Sequence, residues 1–183
     1  MRTFVIFVLK FLMLAAAYAC VGRLSLMLAI PPGFASPVWP AAGVALAGVL
    51  LGGRKMLPAV FAGSLIINFF VASSNGADIT EFKSIIVAVG IAFGAMLQAY
   101  CGGRLVKVKV NDPTILRSEK DIFALLFFGG VVSCLINATI GPAVLYLSGV
   151  LPPEAFSINV FTWWVGDTIG VLLFAPVILI LAS

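Results

Sequence analysis

Long apolar runs, broken by short clusters of Gly, Pro and charge, set the pattern of this chain. The runs cover 3–30, 38–52, 57–72, 85–102, 122–147 and 159–181. About 20 consecutive apolar residues, wound as a helix, cross the ~30 Å hydrocarbon core of a bilayer. The pattern therefore predicts six transmembrane helices. The second and third runs are short, and Gly52-Gly53-Arg54-Lys55 makes a tight turn between them. The course of 31–57 stays open among a tilted, a broken and a partly re-entrant helix. Met1-Arg2, an apolar run and Ala17-Tyr18-Ala19-Cys20 imitate a cleavable signal peptide. Hydrophobicity continues to Ile30, however, so this segment reads as a first transmembrane helix.

Composition points the same way. Of 183 residues, 62% are hydrophobic and 10% charged, with a mean hydropathy of +1.20. Soluble domains carry about a quarter charged residues. The expected fold class is all-α, a polytopic membrane helix bundle forming one integral-membrane domain over 1–183. There is no histidine, no Gly-rich phosphate loop and no nucleophile-base set, so an enzyme is not expected. Without histidine, the scattered Cys20, Cys101 and Cys134 make no zinc site and read as free, buried thiols. No metal or cofactor is expected.

The net charge of +4 reports topology before it reports a partner. With the N-terminus inside, the cytoplasmic set is Arg2, Lys10, Arg54, Lys55, Arg104, Lys107, Lys109, Arg117 and Lys120, against Lys83 alone outside. Both termini are then cytoplasmic, and 31–37, 73–84 and 148–158 are outward loops. The cytoplasmic basic loop lies beside anionic lipid. No basic-aromatic surface for nucleic acid is present.

Asp167 is the one carboxylate inside a long apolar run. A charge at that depth costs at least ~2.5–3.5 kcal/mol on insertion scales. Arg23 is the one basic residue near the outward end of a run, roughly 10 Å down its helix against roughly 12 Å for Asp167. Depth alone therefore pairs Arg23 with Asp167. Asn68, Asn137 and the deeper Gln98 add inward polar groups, which in hydrocarbon must face each other or a wet cavity. Trp163 and Trp164 precede Asp167 by four and three positions, on roughly its face. Trp39 sits at the mouth of the second run, in Pro37-Val38-Trp39-Pro40. A helix starting there leaves N–H groups near Ala41, Ala42 and Gly43 able to hold an anion.

The candidate ligand-binding set is thus Arg23, Trp39, Asn68, Asn137, Trp163, Trp164 and Asp167. Simpler readings stay open beside it. The tryptophans suit an aromatic belt, Arg23 can snorkel to headgroups, and the Arg23–Asp167 pair can be purely structural. Gly90/Gly94 and Gly166/Gly170 are GxxxG motifs that favour close helix packing. Pro142 and Pro176 are expected to kink their helices.

Three strings carry a family resemblance. Gly22-Arg23-Leu24-Ser25-Leu26, Ser36-Pro37-Val38-Trp39-Pro40-Ala41-Ala42-Gly43-Val44-Ala45-Leu46 and Gly52-Gly53-Arg54-Lys55 resemble the opening of the first type of membrane-associated sensor domain, the MASE family. Gly63 to Asn68 continues the likeness, and Trp163-Trp164-Val165-Gly166-Asp167 through Ala175-Pro176 resembles its later signature. The middle, 73–135, is similar in hydropathy alone.

The resemblance implies a sensory input domain in the bacterial cytoplasmic (inner) membrane. It implies fusion to a cytoplasmic output module: a histidine kinase of a two-component system, a cyclic-di-GMP enzyme or a PAS module. It also implies more transmembrane helices than the six counted, and the chain stops at Ser183 without a polar tail, so a missing downstream segment is expected. Expected partners are membrane lipid, an unknown small-molecule ligand, the output domain in cis and, as an open alternative, a second copy in a homodimer. Two rival readings remain. One is the substrate-binding membrane component of a small-molecule uptake system, docking through an Ala15/Ala19 face; the other is a ligand-free membrane anchor.

Overall fold

The computed structural model describes residues 2–28, 36–110 and 118–182. The loop positions 31–35, Arg117 and Ser183, which entered the topology expected above, lie outside the described residues. Every regular element among the described residues is helical. α1 (Arg2–Ser25) runs on into a 3-10 turn, Leu26–Leu28. α2 (Pro40–Gly52) follows, with a proline in its first turn where no amide hydrogen is needed. Gly53, at φ 77°, makes the tight turn, and the 3-10 turn Arg54–Met56 leads into α3 (Leu57–Ser74). α4 (Phe82–Lys109) returns. A capping box of Ser118 and Asp121 starts the short α5 (Glu119–Ala124), which passes through a π-helical stretch, Leu125–Val132, into α6 (Cys134–Leu147). α7 (Phe156–Ala182) closes the bundle.

Among the described residues, five segments are long and apolar enough to cross a membrane: Arg2–Leu28, Arg54–Ser74, Phe82–Lys109, Glu119–Leu147 and Pro153–Ala182. The chain is a multi-pass membrane protein. The sixth expected helix, α2, has 13 residues and is only about 20 Å long, short of the ~30 Å hydrocarbon core. It survives because it is internal. α2 packs against α1, α4 and α7, and Ala41 through Ala47 are all buried. Such small side chains let backbones approach where no water drives apolar groups together.

Glycines set the closest contacts. A methyl group at Gly63 of α3 would sit 2.8 Å from the Ala15 carbonyl oxygen of α1. Ala15 is therefore covered by α3, and the small-residue face considered for docking an uptake partner is used inside the bundle. On α4, a methyl at Gly90 would meet Val144 Cγ2 at 2.8 Å, and one at Gly94 would meet Asn137 Oδ1 at 2.5 Å, so this GxxxG seats α6.

The GxxxG of α7 works differently. Gly166 abuts the carbonyl of Ser36 and Gly170 abuts that of Trp39, while the Trp39 N–H donates to Gly166 O at 2.9 Å. The chain approaching α2 is thereby fastened backbone-to-backbone onto α7. Ser25 Oγ donates to Val38 O, and Ser36 Oγ donates to Ser25 O at 3.0 Å, tying the end of α1 to the same segment.

One expectation needs correction. Only Cys134 of the three thiols is buried; Cys101 is half-buried and Cys20 exposed. The buried positions of α1 are 15, 18, 22 and 25, a stripe with helical spacing, and residue 20 falls off it. Pro142 and Pro176 lie inside α6 and α7, and a π-helical stretch, Leu125–Val132, precedes α6.

The two GxxxG motifs make a testable contrast. Gly170→Ala drives a methyl into a fixed backbone carbonyl, whereas Gly90→Ala meets a Val144 side chain that can shift. Overpacking of the first kind costs about 1–3 kcal/mol. Thermal unfolding in detergent should show a clearly larger drop for Gly170→Ala than for Gly90→Ala.

Candidate functional site

A cavity of about 350 Å³ opens between the helices at the end of the bundle where α1, α3 and α6 finish and α4 and α7 begin. Its position follows from the length of α2. The five longer helices continue past the start of α2, and none of the residues Pro40–Gly52 lines the cavity, which ends at Ser36 and Trp39.

Asp167 of α7 lies in the inner part, 3% exposed. Asn137 Nδ2 of α6 donates to its Oδ2 across a long 3.4 Å, and the Gln98 amide of α4 also faces the carboxylate. Gln98 Nε2 reaches Cys134 Sγ at 3.5 Å. Asn137 Oδ1, Gln98 Oε1 and Trp163 Nε1 are buried without a hydrogen-bond partner. Buried polar atoms left unsatisfied cost about 1–3 kcal/mol each, and two of these residues, Asn137 and Trp163, line the cavity. The Trp163 ring reaches it by lying directly over Gly141 of α6, where no side chain intervenes.

Around the walls, the Tyr18 phenol of α1 faces the Trp39 indole and the Ser64 hydroxyl. Asn68 Nδ2 donates to Ser64 O at 2.8 Å within α3. At the mouth stand Asn75, Glu81 and Lys83, all exposed. The mouth loop is held by Asp78, whose Oδ1 accepts from the Thr80 N–H at 2.8 Å and the Thr80 hydroxyl at 2.7 Å. Those two bonds favour the ionised carboxyl and hold it below the usual carboxylate range.

Five of the seven candidate residues line this cavity: Trp39, Asn68, Asn137, Trp163 and Asp167. Arg23 does not. It is exposed, its guanidinium stacks 3.8 Å from the Phe70 ring centroid, and no ion pair joins it to Asp167. Matching depth was insufficient, because residue 23 stands off the buried stripe of α1 by about 100° of helical turn. Tyr18 supplies the inward group of α1 instead.

Trp164 also lies elsewhere, packed into the core, with its Nε1 donating to Val131 O at 2.9 Å. Consecutive helix positions diverge by about 100°, and here Trp163 lines the cavity while Trp164 packs into the core. The expected anion site at the start of α2 is closed as well. Gly43 lies against the Gly170 carbonyl, and Ala41 and Ala42 are buried away from the cavity. Sequence reasoning missed Tyr18, Ser64, Ser84, Glu81 and Lys83. For Tyr18 a signal existed: a hydroxyl within an apolar run, four positions before Gly22. For Lys83 it was its isolation as the one basic residue of its end.

The adjacent tryptophans should separate in a stability measurement. Trp164→Phe breaks the bond to Val131 and should lower stability by about 0.5–1.5 kcal/mol through that bond alone. Trp163→Phe breaks none and should unfold closer to wild type in the same denaturation assay.

No curated relative and no solved structure matches the chain. The family model MASE1 matches residues 8–183, nearly its whole length. Parts of three of the segments that carry the resemblance meet in space, since the Ser25 segment, the Ser36–Trp39 segment and Gly166–Asp167 touch one another beside the cavity. The chain belongs to the MASE1 family of membrane-associated sensor domains.

Proposed function

We propose that this sensor domain detects a small polar molecule that enters the cavity from the periplasmic side of the bacterial inner membrane and signals to a cytoplasmic output module, a histidine kinase or a cyclic-di-GMP enzyme. The observation that carries the reading is the convergence of buried polar groups from α4, α6 and α7 on one cavity, with unpartnered hydrogen-bonding atoms among them. A bundle that needed only internal bonding would satisfy those atoms itself. The distribution of charge supports the orientation. Arg54, Lys55, Arg104, Lys107 and Lys109 gather at the end opposite the cavity, as cytoplasmic basic residues do.

The route of the signal follows from where the ligand would bind. Asp167 stands one position after Gly166, which holds the approach to α2. A ligand drawn to Asp167 therefore biases the packing of α7 on α2. α7 carries that change to Ala182, at the basic end of the bundle, next to the output module. The ligand acts by preferring one of two packings, and its effect is bounded by that difference in affinity.

A metabolite screen on the purified domain tests the reading, with thermal stabilisation as the measurement. At least one compound should stabilise the wild type saturably. Asp167→Asn keeps the shape and removes the charge. It should weaken that compound at least about tenfold, equivalent to ~1.4 kcal/mol, without lowering the unliganded melting temperature. Unchanged affinity in the variant overturns the model.

A further inference from the structure

We propose that the cavity selects a small organic cation, an ammonium-bearing molecule whose charged centre sits against Asp167 among aromatic rings. The proposal rests on the ligand-binding reading of the same cavity and narrows it to one charge class.

The sign of the inner surface comes first. Asp167 is the one carboxylate of the buried lining, and among the described residues no Lys or Arg pairs with it. Arg23 is turned away onto Phe70. Lys83 and Glu81 stand together at the exposed mouth, where opposite charges offset one another and solvent screens both. The interior therefore offers a carboxylate and no basic group to whatever enters. A buried carboxylate has room for about four hydrogen bonds, and here it accepts a long one from Asn137 and faces the Gln98 amide. An ammonium group supplies the donors that the carboxylate lacks.

The walls then distinguish an organic from an inorganic cation. Tyr18, Trp39 and Trp163 line the cavity. Aromatic rings attract ammonium groups through their quadrupole, by up to about 2 kcal/mol each when desolvated. Ca²⁺ or Mg²⁺ would instead require six or more oxygen ligands at close range. A volume of about 350 Å³ equals the liquid volume of about a dozen waters, far more than a bare ion needs.

Matched probes that differ in charge test the assignment. Choline, its neutral tert-butyl carbon isostere, n-butylamine and n-butyrate are titrated into the full chain in lipid nanodiscs. Tryptophan fluorescence and melting temperature are followed, because Trp39 and Trp163 line the site. The cations should bind saturably and at least tenfold more tightly than the isostere, with no binding of butyrate. In D167N the cation and the isostere should become equivalent while the unliganded melting temperature stays at the wild-type value. A wild-type protein that binds the isostere as well as choline, or prefers butyrate, overturns the cation assignment and leaves the cavity reading standing. If no probe and no compound of the broad screen binds the folded protein, the cavity reading falls with it.

Discussion

The peptide N–H of Trp39 donates to the Gly166 carbonyl, 2.9 Å away, because Gly166 and Gly170 carry no side chain to hold the two backbones apart. Within a bilayer an unsatisfied amide costs several kcal/mol, so a chain that turns inside the membrane must find its partners in protein. This contact provides them. It allows α2 to begin below the ends of its neighbours, and the space above its start becomes the cavity. Ser25 and Ser36 bind the same segment to the end of α1, so three parts of the chain distant in sequence are fixed at one point. A side chain at Gly170 would push α2 away from α7 and reshape the cavity in the same movement.

The same junction explains why the polar residues are arranged as they are. Asp167 directly follows Gly166 on α7, and Trp39 lies at the head of α2. The helix contact that fixes the backbone therefore also aims a carboxylate and an indole into one space. Gly94 and Gly141 perform the corresponding task on the other side. The first leaves room for the Asn137 amide and the second for the Trp163 ring. Close packing and binding chemistry thus draw on the same small residues, and a ligand at Asp167 acts on the contact that holds α2 against α7.

Parts of this arrangement were legible in the sequence. Hydropathy located every long helix, though α4 runs on past the expected end at 102 to Lys109, and the Gly52-Gly53 turn and the Pro40 helix start follow from local backbone chemistry. The rarity of a carboxylate in an apolar run drew attention to Asp167, and polarity within apolar runs drew it to Asn68 and Asn137, all three of which line the cavity. Arg23 and Trp164 were assigned to the cavity on depth and on near-neighbour spacing. Depth omits helical phase, and phase decided both cases. Arg23 stands off the buried stripe of α1 and rests on Phe70, and Trp164 faces the π-helical stretch while its neighbour Trp163 faces the cavity.

The sequence by itself determined that this chain is a polytopic helical membrane protein with a costly carboxylate near one end of its last helix. Those properties depend on transfer energies and on periodicity, which are local. Only the tertiary structure decided that Asp167 has no basic partner, that Tyr18 rather than Arg23 is the inward group of α1, and that the amides at the start of α2 are closed off by Gly170. These outcomes depend on which helix faces touch. In a membrane those faces are selected by small-residue fit and hydrogen-bond satisfaction between segments far apart in the chain, and neither is written in the hydropathy of any one of them.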